Sequence, residues 1–141
     1  MQMTHSGTVL VIDSDRSRAE ALAAMVKGAG FSATTATDLT DGPQSLSDAS
    51  DLDVVLCELQ LEALAPGEAK RSLRDMDVQV PVIMVSDEVS VPAMKTALRL
   101  GASDFFARPV KDAQALFDSM DRCVRQRRLS RELRQSRKRV E

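Results

Sequence analysis

A chain of 141 residues, 43% of them hydrophobic and with a formal net charge of −2, is long enough to bury the core of one domain. No apolar run approaches the roughly 18 residues of a membrane span, and the amino terminus lacks the basic and apolar regions of a signal peptide, so we expect a soluble, cytoplasmic protein. Two cysteines without CxxC spacing or clustered histidines exclude a disulfide framework and a zinc site.

Short apolar runs bounded by turn residues alternate with segments of helical period, which predicts an α/β domain of five strand–helix units. The predicted strands cover residues 8–12, 31–36, 54–58, 82–86 and 104–107. The predicted helices cover residues 16–27, a segment opened by Gly42-Pro43, and residues 68–76, 91–100 and 111 onward. Short, right-handed connections favour a doubly wound parallel sheet in the flavodoxin-like order 2-1-3-4-5.

The last predicted helix is longer than one domain needs. Residues 111–139 would extend about 43 Å at helical rise. Phe117, Met120 and Val124 form a stripe that can cover the sheet, whereas a second stripe needs a partner of its own. That second stripe consists of Leu129, Leu133 and Val140. We therefore predict a domain over residues 8–121 and a helical extension over 122–141, suited to a coiled coil or to a signalling helix toward an output domain.

Charge is divided unevenly between these two parts. Residues 1–121 contain 10 basic and 19 acidic side chains, whereas residues 122–141 contain 9 and 2. A basic helix of this kind is one alternative route to function, through nucleic acid. Its cations surround the helix, however, and no aromatic residues are interleaved for stacking on bases, so the pattern argues against that alternative.

Polar side chains follow the predicted strands where the strands end. Asp13-Ser14-Asp15 follows the first, Glu58 closes the third, Ser86-Asp87 ends the fourth and Arg108 follows the fifth. Carboxyl ends of parallel strands lie at one edge of a sheet, which is where open α/β proteins place their chemistry. We expect these residues to form one site. His5 stands alone in a polar tail, and no catalytic or ligand role is expected for it.

Four ordered blocks make the chain similar to receiver domains of two-component response regulators over roughly residues 8–120. The blocks are VLVID at 9–13, DVVLCE at 53–58, PVIMVS at 81–86 and GASDFFARP at 101–109. The resemblance implies a domain that receives a phosphoryl group on an aspartate after strand three. It also implies Mg²⁺ held by an acidic pair after strand one, a Thr or Ser after strand four and a lysine after strand five.

The sequence departs from that family at three of these positions. Glu58 stands at the phosphoacceptor position, Ser14 at the second acidic position and Arg108 at the lysine position, whereas Asp13 and Ser86 match. Glutamate reaches about one methylene further than aspartate, so it would keep a negative charge near the place of a phosphoryl group. The substitutions therefore predict a degenerate receiver in which a fixed Glu58–Arg108 pair, together with Asp13, replaces the switchable cluster.

Other expectations follow from the resemblance. Phe105 falls at the position of the aromatic residue that swings inward when receivers switch. Weak or absent Mg²⁺ binding is expected, with Asp13 and Asp15 as residual candidates, and no enzymatic activity. We expect a homodimer through the face of the fourth helix, fifth strand and fifth helix, or through the C-terminal helix. A C-terminal output domain or a partner protein would receive the signal.

Two further alternatives stay open at this point. Glu58 could be a solvated residue in a decayed pocket. The chain could instead be a working, Mg²⁺-dependent phosphoacceptor that uses Asp13 with Asp15 or Asp87. A dinucleotide role has no support, because no GxGxxG motif follows the first strand.

Overall fold

The structure is a computed structural model that describes residues 5–37, 51–59 and 80–140, with side chains to residue 138. Its strands are β1 (Thr8–Ile12), β2 (Ser32–Ala36), β3 (Val54–Glu58), β4 (Val82–Ser86) and β5 (Asp104–Ala107). Its helices, numbered over the described residues, are α1 (Arg16–Gly28), α2 (Val91–Arg99) and α3 (Ala113–Val140). The predicted helices at Gly42-Pro43 and at residues 68–76 lie outside the described residues, as does the side chain of Val140.

The five strands form one parallel sheet in the order β2-β1-β3-β4-β5, which confirms the predicted order. Every residue of β3 and β4 is buried, because the central strands of a parallel sheet are covered on both faces. Strand β2 alternates between exposed and half-buried positions from Ser32 to Thr35 and ends at the buried Ala36, as expected at an edge. The register sets Glu58 opposite Val85 and Ser86 opposite Ala107, so the strand ends lie side by side.

Two apolar layers cover the sheet because successive strand residues point to opposite faces. Leu10, Val55 and Met84 face one side, where Ala93 and Ala97 of α2 pack. The other layer joins strand residues to residues of α1 and α3. It contains Val9, Val11, Val54, Leu56 and Ile83 of the strands, Ala19, Ala23 and Val26 of α1, and Leu116 and Met120 of α3. The sheet is therefore held rigidly between layers, and its carboxyl edge is a fixed platform.

Helix α3 has 28 residues, about 42 Å at helical rise, which confirms the predicted long C-terminal helix. Its packing continues beyond residue 121, since Cys123, Val124 and Arg127 are buried. Arg127 Nε donates to the Leu52 carbonyl at 3.3 Å, and Arg131 NH2 donates to the same oxygen at 2.8 Å. The domain boundary at 121–122 stays a prediction, but the helix contacts the domain for ten residues past it.

Asp53 lies directly before β3 and fixes the same helix. Its side chain is 4% exposed, and its Oδ1 accepts from Arg131 NH1 at 3.0 Å. Its Oδ2 accepts from the Thr8 N–H at 2.9 Å and lies 3.8 Å from Arg128 NH2. A buried carboxylate of this kind is stable because cations and an N–H surround it.

His5 has partners that its place in the sequence does not reveal. Its ring stacks on Phe31 with centroids 5.4 Å apart and planes 14° apart, and it lies 5.4 Å from the ring of Phe117. Its Nδ1 is 2.7 Å from Asp121 Oδ2. The segment before β1 is thus attached to α3. None of the described helices is both long and apolar enough to cross a membrane.

We expect Asp53→Asn to lower the free energy of unfolding by about 2 kcal/mol, measured by urea denaturation, because a hydrogen bond to a charged group is lost. Asparagine keeps an acceptor for Thr8, but it removes the negative charge that pairs with Arg131. Asp51→Asn is the matched control, because Asp51 is exposed two residues earlier. Equal stability of the two variants would contradict the role assigned to the Asp53–Arg131 pair.

Candidate functional site

The carboxyl edge of the sheet brings together two buried carboxylates. Asp13 follows β1, Glu58 ends β3, and each residue is 5% exposed. Strands β1 and β3 are neighbours, which is why the two side chains share Arg18 and Arg108 as partners. Charges removed from water to this extent need opposite charges and hydrogen-bond donors beside them. The contacts of these two side chains therefore define the chemistry of the site.

Both oxygens of Glu58 have close neighbours. Its Oε2 accepts from the Ser14 N–H at 2.8 Å and from the Ser14 hydroxyl at 2.9 Å. Its Oε1 lies 3.5 Å from Arg18 NH2 and 3.8 Å from Arg108 NH2. The carboxylate is held from one side by hydrogen bonds and from the other by two cations.

Arg108 contacts three carboxylates rather than pairing with Glu58 alone. Its NH1 donates to Asp13 Oδ2, and its Nε donates to Asp87 Oδ1 at 2.7 Å. NH2 is buried and makes no hydrogen bond, while Glu58 Oε1 lies 3.8 Å from it in an ion pair. The guanidinium side chain is 13% exposed. Arg108 thus bridges the ends of β1, β3 and β4 from its position after β5.

Arg18 is a further member of the site, and the strand-end pattern of the sequence did not predict it. Its Nε donates to Asp13 Oδ1 at 3.2 Å, and NH2 lies 3.5 Å from Glu58 Oε1. The hydrogen bond to Asp13 raises the pKa of Arg18. The sequence contained one indication of this role. A cation in the first turn of a helix is destabilised by the helix dipole, so anions near it are expected.

Three of the predicted site residues have other contacts. Ser86 ends β4, and its hydroxyl oxygen accepts from the Glu88 N–H at 3.1 Å. Asp15 caps α1, where its carboxylate accepts from the Arg18 N–H at 3.0 Å. Phe105 is half-buried against the apolar layer that contains Met84.

Other predicted residues lie outside the site. Leu129 and Leu133 are exposed on α3, 59% and 61% respectively. Within the described ranges 5–37, 51–59 and 80–140, no three His, Cys, Asp or Glu side chains are grouped so as to hold a metal ion.

A family model described as "Response regulator receiver domain" matches residues 9–120. Among curated proteins, the sensory transduction protein RegX3 of Mycobacterium tuberculosis is 35% identical over 104 residues, which are 72% of this chain and 44% of that protein. The response regulator protein TodT of Pseudomonas putida is 26% identical over 115 residues, 79% of this chain and 48% of TodT. The chain thus matches less than half the length of these relatives.

Solved structures show the same fold. NtrX from Brucella abortus in complex with ADP superposes with a TM-score of 0.76 at 25% identity, covering 96% of this chain and 30% of that one. A response regulator receiver protein from Pseudoalteromonas atlantica gives a TM-score of 0.67 at 16% identity, covering 84% and 97%. The second likeness, at its low identity, concerns the fold alone.

The Asp87–Arg108 contact gives a measurable titration. The hydrogen bond from Arg108 lowers the pKa of Asp87, although partial desolvation opposes it. We expect carboxyl ¹³C NMR to place this pKa below the usual aspartate value, and Arg108→Ala to raise it toward that value. Arg99→Ala removes an exposed cation elsewhere and should leave it unchanged. An unchanged Asp87 pKa in Arg108→Ala would contradict the contact.

The same contact fixes the sign of a pH effect on stability. Because the folded-state pKa of Asp87 is lowered, the pair contributes stability above the usual aspartate pKa. That contribution is lost as pH falls through the lowered value, and Arg108→Ala should lack it.

Proposed function

The chain belongs to the response regulator receiver domain family, and from this premise we propose that it acts as a signalling and protein-interaction module without phosphoryl transfer. In this proposal Glu58 occupies the phosphoacceptor position as a permanent anion. Arg18 and Arg108 take the place of the metal ion and the lysine. The module is then not an enzyme, and its signal is set by binding rather than by a covalent switch.

The observation that carries the proposal is the engagement of Glu58. Its Oε2 accepts two hydrogen bonds from Ser14, and its Oε1 lies within 4 Å of two guanidinium groups. A carboxylate that attacks a phosphorus atom needs an oxygen free to approach it, and a site arranged to stabilise the charge that develops. Here the Ser14 donors and the two guanidinium groups are already directed at the Glu58 carboxylate itself. This arrangement favours a stable ion pair over a nucleophile.

Ser14 and Glu58 support the same interpretation, because Ser14 supplies the hydrogen-bond donor that the Glu58 carboxylate accepts from. An aspartate at position 14 would place a third carboxylate beside Glu58, where like charges repel. Serine instead supplies a hydroxyl donor, 2.9 Å from Glu58 Oε2. The two departures from the family pattern are therefore complementary, which argues against the alternative of a decayed pocket with a solvated glutamate.

The residues present do not fit Mg²⁺ at this site. Mg²⁺ requires several oxygen ligands in near-octahedral geometry, commonly including carboxylates and waters. Asp13 Oδ1 instead accepts from Arg18, and its Oδ2 from Arg108. Asp15 caps α1 with its carboxylate. We infer that the protein supplies its own cations there and works without a metal cofactor.

The rival interpretation, a working receiver that uses another carboxylate, has less support. It would use Asp13 with Asp15 or Asp87. Asp13 and Asp87 accept hydrogen bonds from Arg108, and Asp15 caps α1. Both oxygens of Asp13 accept from arginines, so its phosphorylation would require breaking such a bond. Phosphorylation of Asp13 or Asp87 would also place a further negative charge among three carboxylates.

Helix α2 offers a surface for self-association. Val91, Met94 and Leu98 lie at steps of three and four residues and are 64%, 47% and 72% exposed. Exposed apolar residues grouped on one helix face often mark an interface. The proposal therefore includes a homodimer through the face formed by α2, β5 and α3, with a partner protein or an output domain receiving the signal.

The first test is intact-mass spectrometry after incubation with acetyl phosphate, with and without Mg²⁺. We expect no phosphoryl adduct on the wild-type chain, because Glu58 is held by Ser14 and two arginines. The matched control restores the family residues through Ser14→Asp, Glu58→Asp and Arg108→Lys, and should acquire the adduct only with Mg²⁺. Folding of the control is checked by circular dichroism.

A phosphoryl group on any carboxylate of the wild-type chain would overturn the proposal. Peptide mapping of the adduct would then identify the acceptor. Glu58→Gln distinguishes an acceptor at Glu58, which it would abolish, from one at Asp13 or Asp87.

The dimer is tested by sedimentation equilibrium. We expect Met94→Asp with Leu98→Asp to raise the dimer dissociation constant by about tenfold or more, because charged groups would be buried in the interface. Leu129→Asp with Leu133→Asp is the matched control, because it places the same two charges on exposed residues of α3 beyond residue 121. A larger effect of this control would place self-association on that part of α3 instead of on α2.

A further inference from the structure

Helix α3 carries an ordered surface on the side away from the sheet. Arg125, Leu129, Leu133 and Arg137 follow one another at steps of four residues, so they form one stripe along the helix. All four are exposed. We call these four residues the outward stripe. Two leucines between two arginines give it an apolar centre with a positive charge at each end.

The opposite side of the same helix is attached to the domain. Arg127 and Arg131 both donate to the Leu52 carbonyl, and Arg131 also pairs with Asp53. Leu129 lies between these two anchors in sequence, on the far side of the helix. The outward stripe is therefore held in position before any partner arrives, which reduces the entropy lost on binding.

The charge around the outward stripe is strongly positive. Between residues 122 and 138 the exposed acidic side chain is Glu132. The exposed basic side chains are Arg122, Arg125, Arg128, Arg134, Arg137 and Lys138. An acidic partner would be attracted to this helix and a basic one repelled.

We propose that the outward stripe is a docking site for an acidic amphipathic helix of a partner protein. The complementary helix has two apolar residues four positions apart, with Asp or Glu four positions before the first and four after the second. Its apolar pair covers Leu129 and Leu133, and its carboxylates meet Arg125 and Arg137. The inference rests on the chain being an interaction module, but it concerns a surface separate from Glu58.

A second copy of this chain does not satisfy the same surface. Parallel pairing sets Arg125 against Arg125 and Arg137 against Arg137, and antiparallel pairing sets Arg125 against Arg137. Like charges meet at both ends in either direction, which disfavours self-pairing. Nucleic acid would use the cations but has no need of two exposed leucines four residues apart. Leu129 and Leu133 therefore favour a polypeptide.

The experiment uses the whole chain and a fluorescent peptide of about 20 residues, long enough to form helix. Its alanine–glutamine background carries Glu, Leu, Leu and Glu at steps of four residues. Fluorescence anisotropy should show binding that weakens about tenfold or more for Leu129→Ser with Leu133→Ser, and similarly for Arg125→Glu with Arg137→Glu. A peptide with Lys in place of both Glu should bind the Arg125→Glu, Arg137→Glu variant better than wild type.

The matched control is Arg134→Glu with Lys138→Glu. It changes net charge by the same amount on exposed residues outside the stripe, and it should weaken binding by less than threefold, about the effect of screened charges. Two outcomes would show that binding depends on general electrostatics and would overturn the proposal. One is a loss of affinity in this control equal to that of Arg125→Glu with Arg137→Glu. The other is equal affinity for a peptide with Ser in place of both Leu.

Two other outcomes would also overturn it. Absence of binding by the Glu-Leu-Leu-Glu peptide is one, and self-association of the chain that is lost in Leu129→Ser with Leu133→Ser is the other. Repeating the titration after treatment with acetyl phosphate separates this inference from the proposed function. A phosphoryl adduct with unchanged peptide binding refutes the proposed function alone. Absence of peptide binding without an adduct refutes the docking site alone.

Discussion

Two carboxylates buried at the end of the sheet, those of Asp13 and Glu58, must be balanced by positive charge, and much of the structure follows from that requirement. The cations come from separate elements: Arg18 from the first turn of α1 and Arg108 from the loop after β5. Asp87 after β4 joins the cluster through Arg108. Charge pairing thus connects one helix and the ends of four strands, in addition to their apolar packing.

Strand β3 has a similar arrangement at each of its ends. Asp53, directly before the strand, meets Arg131 of the long helix, whereas Glu58, its last residue, meets Arg18 and Arg108. The strand between them is buried along its whole length. The site and the helix are therefore attached to one rigid element, and neither position can shift without exposing a buried carboxylate.

A receiver that signals by phosphorylation needs a charge that comes and goes. Under the proposed function, Glu58 supplies the negative charge permanently, and Arg18 and Arg108 supply the positive charge in the same way. Such a module would present one constant surface to its partners, so regulation would depend on which partner is bound. The exposed residues of α2 and the outward stripe of α3 are the described surfaces suited to that role.

Sequence patterns predicted the sheet order, the edge at which Glu58 and Arg108 lie and the long last helix, because periodicity and the direction of parallel strands are local properties of the chain. Which charges come into contact depends on how the folded elements pack. Arg108 contacts Asp13 across 95 residues and Arg18 contacts Glu58 across 40, while His5 reaches Asp121 across 116. Long side chains choose partners by the packing of elements far apart in sequence, and no spacing rule encodes that packing. Leu129 was predicted to need a partner, but only the anchoring of Arg127 and Arg131 showed the direction in which it faces.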